Sequence, residues 1–461
     1  MISDEIVLSN TESVCPVCLK RIKAERVQKG DVIYLRKTCP EHGHFINPIW
    51  RGNLDRITNA PLRIPAFPEK ALTEVKDGCP FDCGLCPEHR QRPCCVLLEV
   101  TQRCDLMCPF CYASAGGQAN TNDYLDPELE QIKSWYRLLL DNGGPYNIQL
   151  SGGEPCVRDD LPEIITIGKE MGFTYFQVNT NGRRISRDIG FLTRLKDAGL
   201  TTIYLQFDGV TDEIYREMRG ADLLAEKKQA IRNCKELNIG CVLVPTIKPG
   251  VNDCQIGEII KFALQNHPVV RGVHFQPVSY FGRFPQPPVE TDRITLPEII
   301  SAVCSQTGGM VDQAAFKPSG GPNRWCSFNG VFVVLEDGSL RAFVKKELPC
   351  SCTVQDANTE RLRLQSFVAR NWAAPARDNT QTNNDERPSL GGWDSFLART
   401  KTHLFAITGM AFQDAWTLDL ERVQDCCIMV LSPDNRMIPF CAYNLTSQSG
   451  RSLYRKLPGQ E

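Results

Sequence analysis

The sequence predicts an α/β protein centred on a parallel sheet or an incomplete (β/α) barrel. Three observations carry that prediction. Between residues 96 and about 280, strand-like apolar runs alternate with helically spaced ones until six strands are counted. The polar and glycine-rich pieces fall after the strands, on the face where such barrels gather their functional loops. Cysteine clusters flank the repeat on both sides.

The first strand, residues 96–100, leads into Cys104-Asp105-Leu106-Met107-Cys108-Pro109-Phe110-Cys111. A helical pattern covers 125–140. The second strand, 146–150, runs into Ser151-Gly152-Gly153-Glu154-Pro155, and helix 161–171 follows. Strand 174–178 ends in Asn179-Thr180-Asn181-Gly182, before helix 189–198. Strand 202–207 ends in Asp208-Gly209, before helix 223–237. Strand 240–244 is followed by Pro245-Thr246 and, further on, Asn252; then come helix 256–266 and the sixth strand, 272–276. The boundaries are drawn at 1–60 for a metal-knuckle module, 61–95 for a Pro-rich linker and cysteine segment, 96–284 for the barrel and 285–461 for a C-terminal cysteine-rich α+β domain.

The chain has 461 residues, 42% of them hydrophobic, enough for two or three domains with substantial cores. A net charge of −2 leaves no basic excess for nucleic acid. Met1-Ile2-Ser3-Asp4-Glu5 is acidic and unlike a signal peptide. No apolar run reaches the roughly 18 residues of a spanning helix. A soluble, cytoplasmic protein is expected, peripheral to the membrane if its substrate is a lipid.

The chain holds 22 cysteines, which in a long chain of this kind points to metal rather than disulfides. Cys104, Cys108 and Cys111 supply three thiolates, one fewer than a closed cluster uses; unless a fourth cysteine arrives from elsewhere, one iron of a cubane stays open to bind something else. Cys15, Cys18 and Cys39 form two knuckles around a strand signal, the shape of a zinc ribbon or rubredoxin-like site for zinc or mononuclear iron. Its fourth ligand is His42 or a cysteine from elsewhere. The bland alternative is three unconnected cysteines in a surface hairpin. Cys79, Cys83 and Cys86 repeat the four-then-three spacing, and Cys94 or Cys95 offers a fourth thiolate for an auxiliary cluster. Cys326, Cys426 and Cys441 suggest another, with Cys427 and the Cys350/Cys352 pair competing for the last place. Isolated Cys156, Cys234, Cys241, Cys254 and Cys304 read as small buried apolar residues. Gly152 and Gly153 let backbone approach a ligand closely, and Glu154 is placed to bind an ammonium.

Three thiolates after the first strand and Gly-Gly-Glu-Pro after the second together resemble the radical SAM superfamily. More narrowly, three segments are similar to the subfamily of tetraether lipid synthase and class D radical SAM methylases. They are the Cys-Pro-x-Cys head with Cys-Pro-Glu-His-Gly, the Gly-Cys-Pro-Phe-Asp-Cys-Gly-Leu-Cys-Pro-Glu-His segment, and the tail with Ile-Pro-Phe-Cys-Ala-Tyr-Asn. The resemblance implies that Cys104, Cys108 and Cys111 hold a 4Fe–4S cluster whose fourth iron is chelated by S-adenosylmethionine (SAM). It implies that Glu154, with the Gly152–Gly153 backbone, receives the SAM ammonium, that Pro155 belongs to the same cofactor-binding turn, and that Asn179, Thr180, Asn181, Asp208 and Asn252 contact the rest of SAM. It also implies one or two auxiliary 4Fe–4S clusters, one mononuclear metal and a reduced ferredoxin- or flavodoxin-type donor. The implied reaction cleaves SAM reductively to a 5′-deoxyadenosyl radical, which abstracts hydrogen from an unactivated carbon. The leading reading is carbon–carbon coupling of lipid alkyl chains. The alternative is methylation of a pterin-type ring with carbon from a folate-like donor. A reading of another class, a non-enzymatic multi-cluster electron carrier, needs every cubane closed by four thiolates.

Overall fold

The computed structural model describes residues 5–53, 63–116, 126–343, 355–375 and 399–455. Cys350, Cys352 and the polar stretch 378–387 lie outside the described residues.

Strands β1 (Glu5–Val14), β2 (Arg21–Lys29), β3 (Val32–Cys39) and β4 (Gly43–Arg51) form a four-stranded antiparallel meander. β5 (Arg63–Ile64) pairs in parallel with β15 (Gln355–Asp356) as a separate two-residue ladder.

The central sheet contains β6 (Cys95–Thr101), β7 (Asn147–Gly152), β8 (Phe176–Thr180), β9 (Thr202–Gln206), β10 (Gly240–Val244) and β12 (Val270–Pro277). These six strands are consecutive and all parallel, with the short β11 (Thr246–Ile247) also on β12. The predicted six-stranded β/α order is therefore present. The sheet stays open, but it is longer than the sequence implies. β16 (Leu404–Met410) adds in parallel to β12, and β17 (Ile428–Leu431) adds in parallel to β6. Antiparallel β13 (Ser327–Val334) with β14 (Leu340–Ala342), and β18 (Met437–Pro439), finish the two edges. The C-terminal cysteine-rich region thus continues the central sheet at both sides.

Each strand's outer face is apolar. Val96, Leu98 and Val100, then Ile148 and Leu150, then Ile203 and Leu205, all join the main core under the helices. Helix Leu129–Asp141 contributes Ile132, Trp135, Tyr136 and Leu139 to that core, one stripe at helical spacing. Parallel strands covered on both faces ordinarily read as continuous apolar runs. Here the alternate positions are polar: Asn147, Gln149 and Ser151 on β7, Gln177 and Asn179 on β8, Gln206 on β9, and His274 and Gln276 on β12. Some of these side chains bond one another or nearby groups, as Gln177 does Asn179, Asn147 the Gln365 carbonyl and Gln206 Lys227. The inner face of the sheet is a polar wall that borders the main cavity.

Candidate active site

The loop after β6 and the turn after β7 are tied together by backbone. Gly153 N donates to Thr101 O at 2.8 Å and Glu154 N to Arg103 O at 2.9 Å. The two glycines answer to this contact. A Cβ on Gly152, at φ +119°, would lie 2.1 Å from Thr101 O, and one on Gly153 would lie 2.2 Å from Arg103 O. Sequence reasoning assigned these glycines to ligand approach. The structure adds an intramolecular cause: the turn must reach the strand that launches the cysteine loop.

Glu154 is almost fully buried. Its carboxylate accepts from Thr180 Oγ1 at 2.6 Å, Asn181 N at 2.6 Å and Cys156 N at 3.0 Å. Burial raises its pKa, opposed by those three donors. Asn181 Nδ2 donates to Asp105 at 2.7 Å, and Arg183 bonds Asp105 through both its carbonyl and its carboxylate. The turn after β8 therefore clamps the residue next to Cys104.

Cys104, Cys108 and Cys111 line one cavity with Gly152, Gly153, Glu154, Asn179, Thr180 and Asn181. The thiol of Cys104 is raised by burial first, then by the charges of Glu154, Cys108 and Cys111. That of Cys108 is raised by burial, with Arg219 opposing. Soft donors held together and aimed into a cavity fit an iron–sulfur cluster.

Asp208 and Asn252 take supporting positions. Asp208 accepts from Arg219 at 2.7 and 2.9 Å and from Thr246 N at 3.0 Å. Asn252 is fully buried and donates to the carbonyls of Asp208 and Thr246, each at 2.8 Å. Neither lines the cavity. The residue they present is Arg219, beside Cys108 and the carbonyl of Phe110. Arg219 and buried Lys227, which reaches the carbonyl of Asn181 and, at 2.8 Å, Gln206, escaped the sequence reading because each sits on a helix with no local motif.

In the N-terminal meander, Cys15, Cys18, Cys39 and His42 bring one ligand atom each within 4.8 Å of one another. His42 Nδ1 is 3.4 Å from Cys39 Sγ and 3.7 Å from Cys15 Sγ. His42, rather than a distant cysteine, is the fourth member of this group. Three thiols and one imidazole suit tetrahedral zinc.

Cys79, Cys83 and Cys86 gather, Cys83 being raised chiefly by its hydrogen bond to Cys79 and Cys86 by burial, with Cys83 adding to it. Cys326, Cys426 and Cys441 also come together, with Cys427 beside Cys426: burial raises Cys426 most, and Cys441, Cys427 and Cys326 add to it. Cys94 goes elsewhere than the Cys79 group the spacing favoured, since its Sγ lies 3.1 Å from that of Cys427 and its N–H donates to Cys427 O. Among the isolated cysteines, Cys156, Cys234 and Cys241 are buried as expected, but Cys254 is exposed and Cys304 half-buried.

A family model described as "Radical SAM superfamily" matches residues 98–263, and one described as "HMPTM N-terminal zinc ribbon domain" matches residues 7–51. The chain is 37% identical over 475 residues to 7,8-dihydro-6-hydroxymethylpterin dimethyltransferase of Methanocaldococcus jannaschii, covering 94% of this chain and 93% of that one. The chain belongs to the radical SAM superfamily. Its cofactors are accordingly a 4Fe–4S cluster and SAM. Another relative in this superfamily segment is Fe-coproporphyrin III synthase of Methanosarcina barkeri, 32% identical over 189 residues, 40% of this chain and 45% of that one. Among solved structures, native anSMEcpe with bound AdoMet aligns with a TM-score of 0.38 at 16% identity, over 47% of this chain and 60% of that one. The full-length match carries a pterin name and lends nothing to lipid coupling. No helix among the described residues is long and apolar enough to cross a membrane.

Proposed function

We propose that this radical SAM enzyme methylates a reduced pterin of the 7,8-dihydro-6-hydroxymethylpterin type. The observation that carries the reading is the end-to-end similarity to a dimethyltransferase of that pterin. The inner wall supports it: Gln149, Asn179, Gln206 and Gln276 all border the cavity. An alkyl chain would leave the Gln149 amide, which no hydrogen bond engages among the described residues, unpaired at about 1–3 kcal/mol.

In this reading Cys104, Cys108 and Cys111 hold the cluster, and Glu154 with the Gly152–Gly153 backbone receives the SAM ammonium. Bound there, cluster and SAM supply a 5′-deoxyadenosyl radical for hydrogen abstraction. The chain's own residues orient and shield. Asn181 and Arg183 fix the cysteine loop through Asp105, and Asp208 aims Arg219 at its edge. The cavity, about 2710 Å³, is large enough for SAM and a substrate together. Cys15, Cys18, Cys39 and His42 hold a structural metal, and the Cys79 and Cys326 groups hold auxiliary clusters fed by a reduced ferredoxin- or flavodoxin-type donor.

The test uses anaerobically reconstituted, reduced protein with SAM, 7,8-dihydro-6-hydroxymethylpterin and a methylene-bearing folate-type donor. The pterin should gain the mass of one and then two methyl groups. Formation of 5′-deoxyadenosine with no change in pterin mass would overturn this substrate assignment.

A further inference from the structure

The cavity does not end at the cysteine loop. It continues down the inner face of the sheet to a floor made by Tyr204 of β9 and Trp372, which follows helix Ala357–Asn371. Their rings stack at 5.4 Å with an interplanar angle of 27°. Val242 and Val244 pack with them in a small buried cluster separate from the main core. Gly240 makes room for this floor, since a Cβ there would lie 2.1 Å from Trp372 O. On either side stands an amide. Gln149 projects from β7 and Gln276 from β12, with β8, β9 and β10 between them. Both are only partly buried, and both border the cavity. Among the described residues no hydrogen bond engages the Gln149 amide. The Gln276 amide faces the Tyr204 hydroxyl.

We infer that Gln149 and Gln276, with the Tyr204–Trp372 pair as the floor between them, form the subsite for a flat heterocycle with donors and acceptors along its edges. The inference rests on the pterin reading and deepens it. Tyr204 and Trp372 are buried against each other, 8% and 6% exposed, so the pair closes the floor of the subsite and meets a ligand at its edge. Primary amides each present both donor and acceptor, which match the mixed edge of a fused amino-oxo ring and find nothing on an alkyl chain. This floor lies deeper than the strand ends, because Tyr204 precedes Gln206 by two residues and Gln206 is bonded to the Lys227–Asp208 group below the cysteine loop. A ring seated there shares one continuous cavity with the three cysteines.

The probe is 6-hydroxymethylpterin, followed by its own fluorescence on titrating the full-length, anaerobically reconstituted protein with SAM present and no reductant. Wild type should quench it saturably. Gln149→Leu and Gln276→Leu should each weaken binding by about tenfold or more. Gln149→Glu and Gln276→Glu keep the side-chain length and replace the amide donor, so they should also weaken it. Variants are compared at wild-type iron content and SAM affinity, and the Glu variant replaces any Leu variant that fails this. If wild type binds the pterin and the matched variants bind it equally well, the subsite is wrong and the pterin reading stands. If wild type does not bind the pterin, the pterin reading itself falls, and the subsite falls with it.

Discussion

Glu154 donates its backbone N–H to Arg103 O at 2.9 Å, which fixes the Gly-Gly-Glu turn against the residue just before Cys104. The carboxylate and the three thiols are thus held as one unit from two strands. Gly153→Ala breaks this unit, because the new Cβ would fall 2.2 Å from Arg103 O, an atom of backbone rather than a movable side chain. One of the two segments must shift. A misplacement of about 1 Å at a reacting centre costs roughly 100-fold in rate. Gly153→Ala should therefore lower 5′-deoxyadenosine formation by about that factor at matched iron content. A variant within twofold of wild type would show that the contact is dispensable.

The N-terminal meander is fastened to the C-terminal region by a buried ion pair. Arg26 reaches Asp419 at 2.6 Å, with both side chains almost wholly buried. Asp419 also accepts from Thr11 Oγ1 at 2.8 Å. Arg26→Met leaves that carboxylate without its cation, a change that costs about 3–5 kcal/mol in buried pairs. The urea midpoint should fall accordingly, and Arg26→Met with Asp419→Leu should recover part of the loss. An unshifted midpoint in Arg26→Met would refute the anchoring role.

The meander's metal group makes a separate prediction. His42 lies beside Cys39 and Cys15, so His42→Ala should remove one ligand from a tetrahedral set and release the metal to a chelator that wild type resists. Metal analysis after dialysis reads this directly. Retention equal to wild type would return the fourth place to another residue.

How much of this was legible in the sequence follows from how local each signal is. Cys15, Cys18, Cys39 and His42 meet across one hairpin, so their spacing pointed to the group with only the fourth place open. The six strands each have a helix partner close in sequence, and their periodicity was enough. β16 and β17 have no such local partner. Residues 404–410 and 428–431 are short apolar runs whose pairing with β12 and β6 spans more than a hundred residues, which no local pattern encodes. The same holds for Cys94. Cys86 is eight residues away in sequence, yet the thiol that Cys94 meets belongs to Cys427. Gln149 and Tyr204 were read only as strand residues, because their significance depends on which face of the sheet is hollow.

The Cys94–Cys427 contact has its own test. Cys94→Ser should leave the iron attributed to Cys79, Cys83 and Cys86 in place, and should match Cys427→Ser in its effect on iron and sulfide content. Loss of the same spectroscopic signal in Cys94→Ser and Cys83→Ser would place Cys94 back in the upstream group.

Lys227 gives the chain a pH signature. Burial pulls its pKa down to about 8, with Asp208 opposing and Arg219 reinforcing the shift. In the unfolded chain an ordinary lysine titrates near 10.4. Between those values the unfolded state binds more protons than the folded one, so stability rises with pH. The cost of burying the ammonium is fully present below about pH 8 and is relieved as pH approaches about 10. Lys227→Met removes this titration, although it also removes the hydrogen bonds to Asn181 O and Gln206. The difference in urea midpoint between wild type and Lys227→Met should therefore move in wild type's favour from about pH 8 to about pH 10. A difference that stays constant across that window would show that Lys227 titrates normally in the folded protein.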